Sequence, residues 1–213
     1  MSETAPNPTL PIPALIDAAF GLIAERGWLG LSLAEAASRA GIDPETARTR
    51  LPDRGAFLAG FVELADRAAL EGALIDGPVR DRLFDIVMRR IDFLQARRPG
   101  VLALLRDLPG DPASGLSLVR ASRRAMGAML DAIGIDASGL RGQLRIHGMG
   151  LLWLATLHAW KSDESEDLAA TMAALDKAIT RAGQAERSLA DLCSGKPRGW
   201  RKEAEAALEM SNE

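Results

Sequence analysis

No tyrosine occurs in the 213-residue chain, and aromatic residues of all kinds make up only 4% of it. That excludes an RNA-binding surface built on base stacking and an aromatic-rich β-sandwich. A single cysteine, Cys193, excludes a disulfide framework and a cysteine-rich zinc site. No second thiol can resolve it, so no redox role is expected. There are two histidines, His147 and His158. On one helix they would stand about 16 Å apart, too far to share a metal, and are expected to be buried or interfacial with satisfied hydrogen bonds. The most apolar stretch, Ile146 to Trp160, is 15 residues long, too short to span a bilayer. No basic segment precedes an apolar one at the start of the chain, so no secretory leader is expected and the location expected is cytoplasmic. His-Glu-x-x-His, Gly-x-Ser-x-Gly and Gly-x-x-x-x-Gly-Lys are all missing. Gly148-x-Gly150 follows no strand and is not a nucleotide loop. The expectation is a non-enzyme without metal or cofactor.

What is present is helical periodicity. Hydrophobic residues make up 47% and charged residues 26%, enough apolar matter for one globular domain or two small ones. After a proline-marked lead-in over 1–13, Ile16, Ala19, Phe20 and Ile23 recur at helical spacing up to Gly27. Ser32-x-x-Glu35 has the form of a capping box and opens a short helix that ends near Gly41. Asp43-Pro44 pairs an N-cap with a proline at the first helical position, for a helix reaching about Leu51. Pro52-Asp53 breaks the chain and caps a longer helix bearing Phe57, Phe61, Leu64 and Ala68. Gly77-Pro78 marks the domain boundary. Beyond it helices are expected at about 79–97, 99–108, 115–133, 138–161 and 165–183, with Pro109 to Pro112 as a breaker and a polar tail over 187–213. No alternating run suggests a strand. The fold class expected is all-α: three N-terminal helices with a short connection between the second and third, which describes a helix-turn-helix, and then a helical body.

The segment GIDPETARTRLPDRGAFL, residues 41–58, resembles without a gap the tetracycline-repressor (TetR) family pattern Gly-Val-Ser-x-x-Thr-Leu-Tyr-x-x-Phe-x-x-Lys-x-x-Leu-Leu. The upstream LIDAAFGLIAERGW and the Ser32 box continue the match over about 50 residues. Thr46 and Leu58 fall on family positions. Arg48 replaces the usual Tyr, Leu51 the Phe and Arg54 the phosphate-contacting Lys, while Pro44 and Glu45 stand where Lys and Gly are common. The resemblance implies a DNA-binding head over 14–77 and a ligand-binding, dimerising body over 78–186. It places Ser32, Thr46, Arg48, Thr49, Arg50 and Arg54 at a double-stranded DNA operator, read as a pseudo-palindrome by a homodimer, with a small apolar or amphipathic effector in the body. Two segments, Gly27-Trp28 with DPETAR at 43–48 and LATLHAWKSDESEDLAATMAALDKAI at 154–179, also resemble lipid-binding accessory proteins of ubiquinone biosynthesis that share this fold. Their Asn-Trp-Tyr-Thr-Lys signature is missing. On that alternative the protein carries an isoprenoid or other lipid and touches an acidic membrane surface.

Charge is unevenly spread. Residues 1–77 hold 6 Lys/Arg and 11 Asp/Glu, whereas residues 78–161 hold 13 and 7. A DNA-reading head draws most of its affinity from phosphate neutralisation, so Arg48 and Arg50 must act together with the neighbouring acids turned away. Met88, Phe93, Met126, Met129, Met149 and Trp153 are candidate pocket residues, with ordinary core packing as the competing reading. Leu151, Leu154 and His158 on one helix, and Leu168, Met172, Leu175 and Ile179 on the next, have the spacing of a seam for another helix. A symmetry mate is the expected partner, and packing within the chain is the competing reading. The basic pairs Arg89-Arg90, Arg97-Arg98 and Arg123-Arg124 read as solvated helix faces, with a ligand carboxylate or phosphate as the alternative.

Overall fold

Asp and Ser at N-cap positions start the head helices. In a computed structural model, which describes residues 12–193, the side chains of Ser32, Asp43 and Asp53 accept hydrogen bonds from the backbone N–H of Glu35, Thr46 and Ala56 at 3.3, 2.9 and 2.7 Å. They open α2 (Leu33–Arg39), α3 (Pro44–Arg50) and α4 (Arg54–Leu70), which follow α1 (Ile12–Arg26). The Ser32 box is only half closed, because Glu35 turns to Arg26 and Arg39 instead of reaching back. The turn between α2 and α3 is sealed by two bonds, Gly41 N–H to the Ser38 carbonyl and Ile42 N–H to that of Ala37. Gly41 there has φ +69°, a conformation that favours glycine.

Leu15, Ile16, Ala19, Phe20, Leu22 and Ile23 form the buried face of α1. Phe20 lies 4.4 Å from Phe61 and 5.7 Å from Phe57 between ring centres, and Phe61 continues to Phe93 at 5.6 Å. The head core therefore runs into the body without a break. The body comprises α5 (Val79–Gln95), α6 (Arg98–Asp107), α7 (Pro112–Ala132), α8 (Gly139–Ser162) and α9 (Ala169–Cys193), and the described residues contain no strand. α4 packs on α5 and α7, α1 on α6, and α8 on α9. No helix among the described residues is long and apolar enough to cross a membrane.

Three boundaries differ from the sequence reading. α1 begins at Ile12, inside the expected lead-in, whose residues 1–11 lie outside the described ones. α7 begins at Pro112, since Asp111 accepts from the Ser114 N–H and the proline sits in the first turn. The supposed breaker is thus a helix start. α9 begins at Ala169, four residues later than expected, and extends through Cys193 into the expected tail. The side chain of Cys193 and residues 194–213 lie outside the described set.

The late start of α9 has a clear cause. Asp163 is buried, and its carboxylate accepts from the N–H and hydroxyl of both Ser165 and Thr171. Arg98 donates to the Asp163 carbonyl at 2.9 Å and stacks over Trp160. Leu168, between Ser165 and Thr171 of this network, has φ +54°, a conformation uncommon for a residue with a side chain. These hydrogen bonds hold the Asp163 carboxyl well below the usual carboxylate range. A lowered native pKa supplies stability that is complete above the unfolded value near 4 and is lost as the pH falls below it. Asp163→Asn is therefore expected to lower the melting temperature at neutral pH, with the gap from the wild type narrowing as thermal scans are taken below pH 4.

Candidate nucleic-acid interface and the body behind it

α3 packs on α2. Ala47 is its buried anchor, and Glu45, Thr46, Arg48, Thr49 and Arg50 are exposed around it. This is the arrangement of a helix that lies in a groove: one small residue against its support and the rest outward. Thr46 and Thr49 are partly engaged within the helix. The Thr46 hydroxyl donates to Asp43 at 2.7 Å, and that of Thr49 to the Glu45 carbonyl at 3.0 Å. Ser32 is exposed while capping α2.

The three arginines assigned to DNA are not equivalent. Arg48 is bound side-on by Glu45, through Nε at 3.1 Å and Nη2 at 2.6 Å. The Arg48 guanidinium holds the Glu45 carboxyl below its ordinary range, and Glu45 in turn raises Arg48. The pair is exposed on both sides, at 71% and 70%, so solvent screens it and it opens readily. Arg50 is exposed and has neither a hydrogen bond nor an ion pair among the described residues. Arg54 is the exception to the sequence assignment. Its Nη2 donates to the carbonyls of Leu29 and Leu31 at 2.8 and 3.3 Å, and its guanidinium lies 5.5 Å from the Trp28 ring centre and 3.9 Å from Asp111. Arg54 thus ties the start of α4 mainly to the 28–31 segment of the head, with Asp111 of the body at ion-pair distance, and is half-buried. Arg39 is likewise held by Glu25 and Glu35.

The junction of head and body is dense with specific contacts. Trp28, fully buried, donates its backbone N–H to Asp107 at 2.9 Å and its indole N–H to Asp111 at 3.2 Å. Arg97 bonds Asp17 of α1 at 2.6 Å. Sequence reading had no signal for these pairs, because the partners lie about 80 residues apart. Two clefts open at this junction. One, of about 620 Å³, is bordered by Leu31, Arg54, Asp111, Ser114 and Ser117, and the other, of about 380 Å³, by Asp17, Phe20, Arg97 and Gly100.

Neither cleft is lined by any of the six residues assigned to a ligand pocket. Met126, Met129, Met149 and Trp153 are buried in the hydrophobic core, and Met88 is half-buried against that core. Phe93 goes elsewhere, since its ring faces Phe61 and the Arg97 guanidinium at the junction. Arg90 lies against two of the remaining residues, Met129 and Trp153, although the Arg89-Arg90 pair reads as a solvated face. It is 2% exposed, pairs with Asp66 of α4, contacts the Met129 sulfur at 3.2 Å and lies 4.8 Å from the Trp153 ring centre. Burial outweighs the Arg90 charge and pushes the Asp66 carboxyl up to about 6, and it lowers Arg90.

The two rows assigned to a dimer seam part company. Leu151 and Leu154 are 70% and 60% exposed, His158 is exposed, and the row extends to Leu140 and Leu144 at 82% and 52%. On α7, Leu116 and Val119 add to this surface, on the face from which Arg123 reaches Gln143 and His147. On α9 the correction is complete. Leu168, Leu175 and Ile179 are buried in the chain's own core, and Met172 is half-buried. Their spacing seats α9 on its own neighbours, and the outer face of α9 is Ala169, Ala173, Asp176 and Thr180. Neither histidine is buried. His147 pairs through Nδ1 with the Gln143 carbonyl at 2.7 Å and through Nε2 with Arg123 at 3.2 Å.

No family model matches the chain, and no curated protein does. Solved structures do. A TetR transcriptional regulator from Nitrosomonas europaea ATCC 19718 superposes with a TM-score of 0.66 at 19% identity, over 81% of this chain and 98% of that one. A TetR-family transcriptional regulator from Streptomyces coelicolor gives 0.57 at 19% identity over 95% and 97%. A TetR transcriptional regulator from Rhodococcus sp. RHA1 gives 0.55 at 21% over 80% and 93%. Head and body are both spanned at these coverages, and the chain has the fold of the TetR-family transcriptional regulators.

Proposed function

We propose that the protein is a ligand-responsive DNA-binding transcriptional regulator, a repressor that reads a pseudo-palindromic operator as a homodimer. The observation that carries this reading is α3, a capped seven-residue helix with Glu45, Thr46, Arg48, Thr49 and Arg50 all exposed. The apolar row on α8 supplies the second requirement. A two-fold partner covering Leu151 and Leu154 sets two α3 helices in a fixed relation, which a symmetric operator needs. The effector sits in the body, and its affinity must differ between the two arrangements of the heads.

Arg48 and Arg50 are the phosphate or base contacts in this reading, and Arg54 is a structural tie. Anisotropy titrations against duplexes selected from a randomised pool test it. Arg50→Ala is expected to cost more affinity than Arg48→Ala, and the double variant to abolish binding. Glu45→Gln is expected to tighten binding several-fold, because it frees Arg48 and removes a charge that phosphates repel.

The lipid-carrier reading of the same fold is favoured by one observation: two of the three assigned arginines are engaged by carboxylates. Its sequence support at 154–179 is weaker than it looks, since Asp163, Ser165 and Thr171 of that segment lock the α8–α9 loop. Absence of any DNA binding at low salt, together with stoichiometric isoprenoid in an extract of the purified protein, would establish that alternative.

A further inference from the structure

Arg90 is an expensive residue to bury and is incompletely used where it lies. Its side chain is 3% exposed. The guanidinium carries five N–H donors, yet among the described residues its one oxygen partner is Asp66, reached through Nη1 alone. Nη1 also meets the Met129 sulfur, a weak acceptor, and Trp153 covers a face of the group. Nε is buried with no hydrogen-bond partner among the described residues. A buried arginine that serves the fold is normally held bidentately and saturated, because each unmet donor bears the full cost of leaving water.

Its position is informative as well. Asp66 belongs to α4, the helix that carries the head into the body, and Arg90 belongs to α5. Beside the guanidinium stand a thioether and an indole, Met129 of α7 and Trp153 of α8. Unbranched methionines yield to a ligand at small cost. The Asp66 side chain keeps 18% exposure and marks the side from which the pair is reached.

We propose that Arg90 anchors the carboxylate of an amphipathic effector, which displaces Asp66 and lays its apolar chain against Met129 and Trp153. This rests on the regulator reading above and names the chemical class of its ligand. An incoming carboxylate takes the Nε–H together with a terminal N–H, the bidentate geometry that Asp66 does not make. Asp66 gives way because burial already disfavours its ionised form. Its release removes the ion pair between α4 and α5, and so links the occupied body to the helix that enters the head.

Calorimetric titration of the full-length protein at pH 7.5 tests this, with hexanoate, octanoate and decanoate set against the alcohols of equal chain length. Carboxylates are expected to bind at least tenfold tighter than their alcohols. Asp66→Asn is expected to tighten carboxylate binding several-fold and leave alcohol binding unchanged. Arg90→Gln is expected to erase the preference, and if that variant does not fold, the wild-type comparison and Asp66→Asn stand without it. Equal affinities for acid and alcohol, no binding of either, or an Asp66→Asn variant indistinguishable from the wild type would overturn the proposal. Anisotropy with selected duplex DNA separates it from the regulator reading. DNA binding without a carboxylate preference overturns the Arg90 site alone, whereas a carboxylate preference without DNA binding overturns the regulator alone.

Discussion

Gly100→Ala is expected to lower the melting temperature by roughly 5–15 °C, the equivalent of about 2–4 kcal/mol for a chain of this size. Gly100 lies in the first turn of α6, where helix propensity by itself favours alanine by about 1 kcal/mol. The local environment reverses that sign. A Cβ at Gly100 would stand 2.4 Å from the Phe20 carbonyl oxygen and 2.9 Å from a Phe20 ring carbon. The first of these is backbone of α1, which cannot swing aside. Relief requires α6 to lift from α1, and with it the Phe20–Phe61–Phe93 stack that joins head to body. Overpacking against a fixed neighbour costs about 1–3 kcal/mol, and loss of part of the stack adds to it. Gly21 supplies the control. It lies one residue away on α1, and nothing stands within 4 Å of its Cβ position. Gly21→Ala is expected to leave the melting temperature unchanged or raise it slightly. Calorimetric scans of the two variants beside the wild type decide the matter, and equal shifts would mean that α6 does not rest on α1 as described.

Leu151→Asp combined with Leu154→Asp is expected to convert the proposed homodimer to a folded monomer and to abolish DNA binding. Both side chains are mostly exposed in the single chain, so the fold loses little when they change. In a two-fold interface each leucine is covered in both copies. Burial of a leucine side chain contributes about 1.5–3 kcal/mol, so four of them supply a large share of what a stable dimer needs. Aspartates in their place would face their own mates across the axis without partners. Sedimentation velocity at micromolar concentration reports the mass, and far-UV circular dichroism reports the intact fold. Leu175→Asp should behave in the opposite manner. Leu175 is fully buried against its own chain, so that variant is expected to lose its fold.

The contrast between Leu151 and Leu175 shows what could be read from the sequence and what could not. Both rows have a helical repeat of apolar residues, and that repeat identifies a face. It does not say whether the chain or a second copy covers that face. The head was more legible, because its signals are local. Ser32, Asp43 and Asp53 each cap a helix with a bond to a residue three positions on, and Gly41 ends α2. The start of α9 was hidden by a loop whose order depends on Asp163 meeting Thr171, eight residues away, below the surface. Arg54 and Arg90 were hidden for a related reason. An arginine in a sequence is a solvated or phosphate-binding group by default, and only the fold brings Leu29, Asp111 or Asp66 to it. The family resemblance placed Arg54 at phosphate by its position in a pattern, but the carbonyls it serves lie outside that pattern.

The central claim is that α3 of two symmetry-related heads engages duplex DNA, and its most direct measurement is the salt dependence of binding to a selected palindromic duplex. Two usable arginines per head, Arg48 and Arg50, give four phosphate neutralisations per dimer. The logarithm of the association constant should then fall against that of the salt concentration with a slope of roughly −4. The Arg48→Ala, Arg50→Ala double variant should show no measurable binding at the same concentrations. A wild-type protein that fails to bind any duplex from the pool at 50 mM salt, on the order of the lowest ionic strength at which such slopes are compared, would contradict the account.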